Sequence, residues 1–128
     1  MRELGIKRLR FSVEADTWLK VLKTRTGMTP NLLCRAAFCL SLAEPGLPPD
    51  MAGEPESQRE INRYTLLGEY DVLFEALLRQ RMAIDGMVDA DIDDQFRRHM
   101  HRGIALLSSR ARSLPDLMAL AEHAGGPS

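Results

Sequence analysis

Residues 29–43 read TPNLLCRAAFCLSLA, and how this stretch is buried decides the fold. Thr29 is a residue type that caps helix starts, and Pro30 sits where a missing N–H costs nothing, so a helix begins at this pair. From Leu32 onward only Arg35 and Ser41 interrupt the apolar run. A helix that is apolar around nearly its whole circumference must be covered on several sides. One helix in front and one or two behind cover part of it, and a sister subunit covers the rest more easily. The stretch therefore predicts a helical protein that self-associates, with residues 32–42 hidden at the subunit contacts.

Upstream, residues 6–12 (IKRLRFS) alternate, with Leu9 and Phe11 facing one way and Arg8 and Arg10 the other. This is the period-two pattern of a half-buried strand. A strand this short cannot stand alone, so it pairs with a second copy of the chain or forms an extended arm. Ser12 then offers an N-cap, and a helix runs to about Thr26 with Gly27 as its stop. Ala15, Trp18, Leu19 and Leu22 make its apolar stripe, with Lys20, Lys23 and Thr24 on the opposite side. Basic strand, helix, Gly turn and Thr-Pro helix come in the order of a ribbon-helix-helix unit, in which strands of two chains pair and enter a DNA groove. Such a unit normally ends with its second helix, whereas most of this chain is still to come.

Downstream, residues 44–58 (EPGLPPDMAGEPESQ) hold four of the seven prolines and read as a proline-rich surface loop. Residues 64–84 read as one helix, in which Leu66, Leu67, Tyr70, Leu73, Phe74, Leu77 and Leu78 recur at helical spacing before Asp85-Gly86 ends it. A further helix runs from near Asp89 to about Arg112. Asp91, Asp93 and Asp94 crowd its positive N-terminal end, Arg110 and Arg112 sit at the other, and Ile92, Phe96, Met100 and Leu107 form its inner face. A last short helix over 117–123 precedes a flexible tail, 124–128. The expected architecture is one mainly α domain over 1–128: a short N-terminal strand or arm, a ribbon-helix-helix-like helix pair, then two to three further helices.

With 128 residues, 45% of them hydrophobic and 27% charged, the chain has the balance of an ordinary globular domain. Its net charge of −1 is unevenly spread. Residues 1–40 carry eight Lys and Arg against three Asp and Glu; the remainder carries nine against fifteen. A basic front half can present one face to phosphate. Lys7, Arg8, Arg10, Lys20, Lys23 and Arg25 crowd into one short segment, which favours phosphate contact over a merely solvated face.

Cys34 and Cys39 point about 140° apart on a helix. They cannot pair with each other and lack metal-site spacing, so they read as reduced core thiols of a cytoplasmic protein. No run reaches the length of a membrane span, and no signal-peptide pattern opens the chain. Asp89, Asp91, Asp93 and Asp94 lack the Gly and Glu of a calcium loop, and a helix start explains them. His99 and His101, two apart, cannot share a metal on a helix. Arg97, Arg98, His101 and Arg102 read as a solvated face paired with acids of neighbouring helices. There is no phosphate loop, nucleophile elbow or Cys/His pair at a recognisable spacing. Nor do Glu60, Glu69, Asp71 and Glu75 single out a carboxylate couple. The residues therefore predict no catalytic, cofactor or metal site.

Three segments, RLRFSVEADTWLKVLKTRTGMTPNLLCRAAFCLSLAEPG from residue 8, NRYTLLGEYDVLFEALLRQR from residue 62 and FRRHMHRGIALLSSRARSLPDL from residue 96, resemble the DndE family. DndE is the smallest component of the DNA phosphorothioation system. The run TGMTPNLLCRAAFCLSLAEPG followed by NRYTLLGEYD is the specific part. The resemblance implies a mainly helical homotetramer that binds DNA and prefers nicked duplex. It also implies cooperation with the other Dnd proteins, which put sulfur in place of a non-bridging phosphate oxygen. The family's DNA contact is attributed to a lysine-rich surface, whereas this chain has only Lys7, Lys20 and Lys23 and uses arginine elsewhere. The expected DNA-binding set is Lys7, Arg8, Arg10, Lys20, Lys23, Arg25 and Arg35. The rival reading is an enzyme of the same pathway: a DNA nickase, or a sulfur carrier using Cys34 or Cys39 with Arg35 beside it. Burial argues against a reactive thiol. An operator-specific repressor is a third reading, disfavoured by the long back half.

Overall fold

Helix α2, Pro30–Ala43, packs chiefly against α5, Ile92–Arg110, and this pair forms the centre of the molecule. The computed structural model describes residues 3–112 together with 115, 116, 118 and 119. Before the pair come strand β1, Arg8–Ser12, and helix α1, Val13–Thr26. Between its members lie strand β2, Glu56–Asn62, helix α3, Arg63–Leu67, a single 3-10 turn, Gly68–Tyr70, and helix α4, Asp71–Ile84. The last short helix expected over 117–123 falls largely outside the described residues, and the tail 124–128 wholly so.

Local chemistry fixes most helix ends where the sequence placed them. Ser12 Oγ accepts from the Ala15 N–H at the start of α1, and Gly27, in the left-handed region at φ 75°, closes it by donating to Lys23 O. Pro30 opens α2, but the Thr29 hydroxyl makes no cap bond and donates instead to Asn31 Oδ1 at 2.6 Å. Helix α5 starts at Ile92, three residues later than near Asp89, because Asp91 is its N-cap and accepts from Asp93 N–H. The first-turn acids are used in packing: Asp93 Oδ1 accepts from the Gly5 and Ile6 amides, and Asp94 pairs with Arg98 at 2.7 Å.

The core is continuous from β1 to α5. Leu33, Cys34, Ala37 and Phe38 of α2 are buried with Phe96, Met100, Ile104 and Leu107 of α5. Phe38 sits 5.1 Å from Phe96 and 5.8 Å, edge-on, from Phe74 of α4. The approach of the two helices is set by Gly103, where a Cβ would lie 1.9 Å from Ala37 O. Burial of α2 on its inner face thus comes from its own chain rather than from a sister subunit. Only its far side stays open: Leu32, Cys39 and Ala43 are exposed. That corrects the expectation of two core thiols, since Cys34 is buried and Cys39 is not.

Two further expectations are corrected. Strand β1 neither pairs with a second copy nor hangs free: it pairs antiparallel with β2 of the same chain, Arg8 opposite Asn62, Leu9 opposite Ile61 and Arg10 opposite Glu60, with a shift in register before Ser12. The ladder begins within the stretch read as loop. Leu9 and Phe11 are fully buried under it. The single helix expected over 64–84 is broken at Gly68 (φ 56°, ψ −137°), a conformation that favours glycine. The Arg35 guanidinium fills the space above Gly68, 2.8 Å from where a Cβ would stand.

Candidate nucleic-acid interface

Strand β1 runs directly into α1, so the cations of residues 7–25 share one continuous segment. The alternation of β1 buries Leu9 and Phe11 and leaves Arg8 and Arg10 exposed; Lys7, which precedes the strand, is exposed as well. On α1, burial of Ala15, Leu19 and Leu22 leaves Lys20, Lys23 and Arg25 exposed. Lys7, Lys23 and Arg25 have no acidic partner among the described residues. Arg8 and Arg10 do: Glu60 of β2 lies 3.3 Å from Arg8 and 2.8 Å from Arg10. Lys20 faces Asp16 at 3.6 Å.

Asp16 ties this segment to a cation the sequence pattern did not single out. Arg59 of β2 meets it at 2.5 Å. Burial pushes the Asp16 carboxyl up, but the hydrogen bond and charge of Arg59, with Lys20 and Ser57, outweigh burial and hold it below the ordinary value. Arg59 lies on the half-buried side of β2 with Ser57 and Ile61. The alternation of Ser57, Arg59 and Ile61 against Gln58, Glu60 and Asn62 is the only sequence signal that marks it.

Arg35 stands apart from the other candidates. Its Nε donates to Leu66 O at 2.9 Å and its Nη2 to Thr65 O at 3.3 Å, and the guanidinium carbon is 5.9 Å from the centre of the Tyr70 ring. It braces α2 against the end of α3. The arginines of α5 are likewise engaged. Arg97 meets Glu56 of β2 at 3.3 Å, and Arg98 meets Asp94 of its own helix and Asp50 of the loop after α2. This corrects the expectation of a solvated face paired with acids of neighbouring helices: none of these acids lies on another helix, His101 is buried and the arginines are half-buried. Arg102 does something else: it donates to Ser41 O, Glu44 O and Gly46 O. Arg81 of α4 joins it, donating to Leu42 O and Gly46 O. Two guanidiniums on carbonyls of the last turn of α2 and of the residues just after it satisfy the negative end of that helix.

Both described histidines of α5 are structural. Ser12 N–H donates to His101 Nε2 at 3.1 Å, which leaves Nδ1–H to donate to Arg97 O at 2.8 Å; the ring is held neutral. Burial, and then the charge of Arg97, keep its pKa low. His99 Nδ1 lies 2.8 Å from Ser41 Oγ, and burial, reinforced by Arg102 and Arg81, pushes its pKa down to about 4. Cys34 is the opposite case: burial pushes its thiol up to about 12. Cys39, more open to solvent than Cys34, is also pushed up by partial burial. Neither has the depressed pKa of a reactive thiol. Among the described residues no cluster of His, Cys, Asp or Glu has the arrangement of a metal site, and no helix is long and apolar enough to cross a membrane.

On other elements than the cations of β1 and α1, exposed Leu32, Cys39 and Ala43 fall on one stripe of α2 with half-buried Ala36 between them. Leu73 and Ile84 of α4 face outward as well, Ile84 at 74% exposure. Between the helices lies a groove of about 240 Å³ lined by Cys39, Leu42, Ala43, Leu77, Gln80, Arg81 and Ile84.

The family described as DNA sulphur modification protein DndE matches residues 8–114 of the chain. The crystal structure of DndE from Escherichia coli B7A, described as involved in DNA phosphorothioation modification, is similar in fold with a TM-score of 0.62 and 26% identity. The match covers 79% of this chain and 95% of that one. No curated protein matches the sequence. On the family match, this chain is a member of the DndE family of DNA sulphur modification proteins.

Proposed function

We propose that this protein is a non-enzymatic, cytoplasmic DNA-binding member of the phosphorothioation machinery. It acts as a homotetramer beside other Dnd modification proteins and prefers nicked double-stranded DNA. One observation carries the reading: Lys7, Lys23 and Arg25 stand exposed without an acidic partner among the described residues, on the same β1–α1 segment as Arg8, Arg10 and Lys20. The apolar stripe of α2 and α4 lies elsewhere, so subunits can join without covering the cations. Contacts of this kind neutralise phosphates and carry no base-edge code. Preference for a nick follows if the bound duplex bends, because an interrupted strand lowers a bending cost of about 1–6 kcal/mol. The enzymatic alternative, a nickase or a sulfur carrier, finds little support: both thiols are held protonated, and Arg35, the cation next to Cys34 in sequence, is spent on Thr65 and Leu66.

The test is the K20A/K23A/R25A variant against the unaltered protein in a fluorescence-anisotropy titration of duplex DNA. Binding should weaken, and the slope of log affinity against log salt should become shallower by about 0.9 for each phosphate that is no longer neutralised. Equal affinity and equal slope would place the DNA-binding surface elsewhere.

A further inference from the structure

Glu60 stands opposite Arg10 in the β1–β2 ladder and divides its carboxylate between two arginines. Its Oε1 is 3.3 Å from Arg8 Nη1, and its Oε2 is 2.8 Å from Arg10 Nη2. Arg10 is fixed further by its Nη1, which donates to Ser57 O at 3.1 Å. Two oxygens of one anionic group, each received by a separate guanidinium, is also how the non-bridging oxygens of a phosphate are taken by paired arginines. We propose that Glu60 is a built-in stand-in for a DNA phosphate: it keeps Arg8 and Arg10 in a phosphate-receiving arrangement and has to be displaced before a duplex engages them. This inference rests on the DNA-binding reading above.

Exposure decides why Glu60, and not Asp16, plays this part. Asp16 also bridges two cations, Arg59 and Lys20, but its side chain is only 12% exposed. Breaking such a pair leaves a desolvated charge uncompensated, so it stays shut. The Glu60 side chain is 27% exposed, and those of Arg8 and Arg10 are 72% and 42% exposed. Pairs this wet are held weakly. A duplex carries one charge per roughly 1.7 Å of axis and can therefore outcompete a single carboxylate, whereas a small isolated anion cannot. Once displaced, the carboxylate remains beside the DNA and repels it. Glu60 thus sets a threshold that favours long, densely charged ligands.

The E60Q change removes the charge and keeps an acceptor oxygen and the side-chain shape. Duplex affinity and its salt slope would be compared for the unaltered protein, E60Q, an R8A/R10A/E60Q variant and E69Q. Glu69 is exposed on the 3-10 turn and controls for net charge alone. A urea titration of each variant checks folding. We expect E60Q to bind about 2- to 30-fold tighter, the range two weak pairs allow, with a salt slope steeper by up to about 0.9, the share of the one carboxylate charge removed. The tightening should vanish in R8A/R10A/E60Q and be smaller in E69Q. If the unaltered protein binds duplex and E60Q binds no tighter, or tightens no more than E69Q, the proposal fails while the DNA-binding reading stands. If E60Q does not fold, Glu60 is a ribbon staple and the proposal also fails. If neither the unaltered protein nor E60Q binds duplex at low salt, the underlying reading falls and takes the proposal with it.

Discussion

Replacing Gly103 by alanine puts the helix pair at the centre of this fold to the test. In an open helix that change stabilises by about 1 kcal/mol, since glycine is the poorer helix former. Here the added methyl would stand 1.9 Å from Ala37 O, 2.4 Å from Ala37 C and 3.1 Å from Phe38 N. All three are backbone atoms of α2, which cannot swing aside as a side chain can. Restoring an ordinary separation of about 3.5 Å requires the helices to part by about 1.5 Å, and a gap of even 0.5–1 Å forfeits a quarter to a half of the dispersion attraction across it. The Phe38–Phe96 pair at 5.1 Å and the Arg102 bonds to Ser41 O and Glu44 O lie beside the wedge and loosen with it. Overpacking costs typically about 1–3 kcal/mol. A clash against backbone belongs at or above the top of that range, about 3–5 kcal/mol, and the propensity gain of about 1 kcal/mol leaves a net loss of about 2–4. In a urea titration followed by circular dichroism, with an m-value of about 2 kcal/mol/M, the midpoint should fall by about 1–2 M. An unchanged or raised midpoint would show that α2 and α5 do not approach in this way.

Two other outcomes follow from the same geometry. The pKa of His99 is about 4 in the folded protein against 6.5 ordinarily, so between those values the unfolded chain binds the extra proton. The His99 contribution to stability should therefore be complete above pH 6.5 and shrink as pH drops toward 4, by about 3 kcal/mol at most, with His101, also held low, adding a loss of the same sign; urea midpoints at pH 7.5 and 4.5 read this, and H99Q should lose visibly less between them. If the proposed self-association runs through the open stripe, L73D/I84D, at two exposed positions, should leave the fold intact and lower the mass seen by sedimentation. An unchanged mass would move the subunit interface to another face.

What the sequence disclosed followed the reach of each signal. Helices α1 and α2 were legible because Ser12, Gly27 and Pro30 mark their ends locally, and α5 because apolar spacing marks its inner face, though its start was read three residues early, near Asp89 instead of after the Asp91 cap. Strand β2 was not legible: ESQREIN has one apolar residue, and it is extended because Leu9 and Phe11 must be covered and β1 needs a partner. The break at Gly68 was masked by leucine spacing that runs straight across it, although the glycine itself, in a backbone conformation that other residues avoid, marks the place. The character of α2 announced burial on several sides but not which sides its own chain would cover, so Cys39 was placed in the core when it faces out. The cationic segment was legible as a run of residues. Its counter-charges were not, since Glu60 is 50 residues from Arg10 and Arg59 is 43 from Asp16.

The central claim is that the cations of β1 and α1 meet DNA phosphates while the apolar stripe joins subunits. Its most direct test is an anisotropy titration of the unaltered protein with nicked and intact duplexes of one sequence at several salt concentrations. With about four to eight phosphates engaged, log affinity should fall against log salt with a slope of about −4 to −7, and the nicked duplex should bind tighter at every salt. A slope near zero, with nicked and intact duplex indistinguishable, would contradict the account.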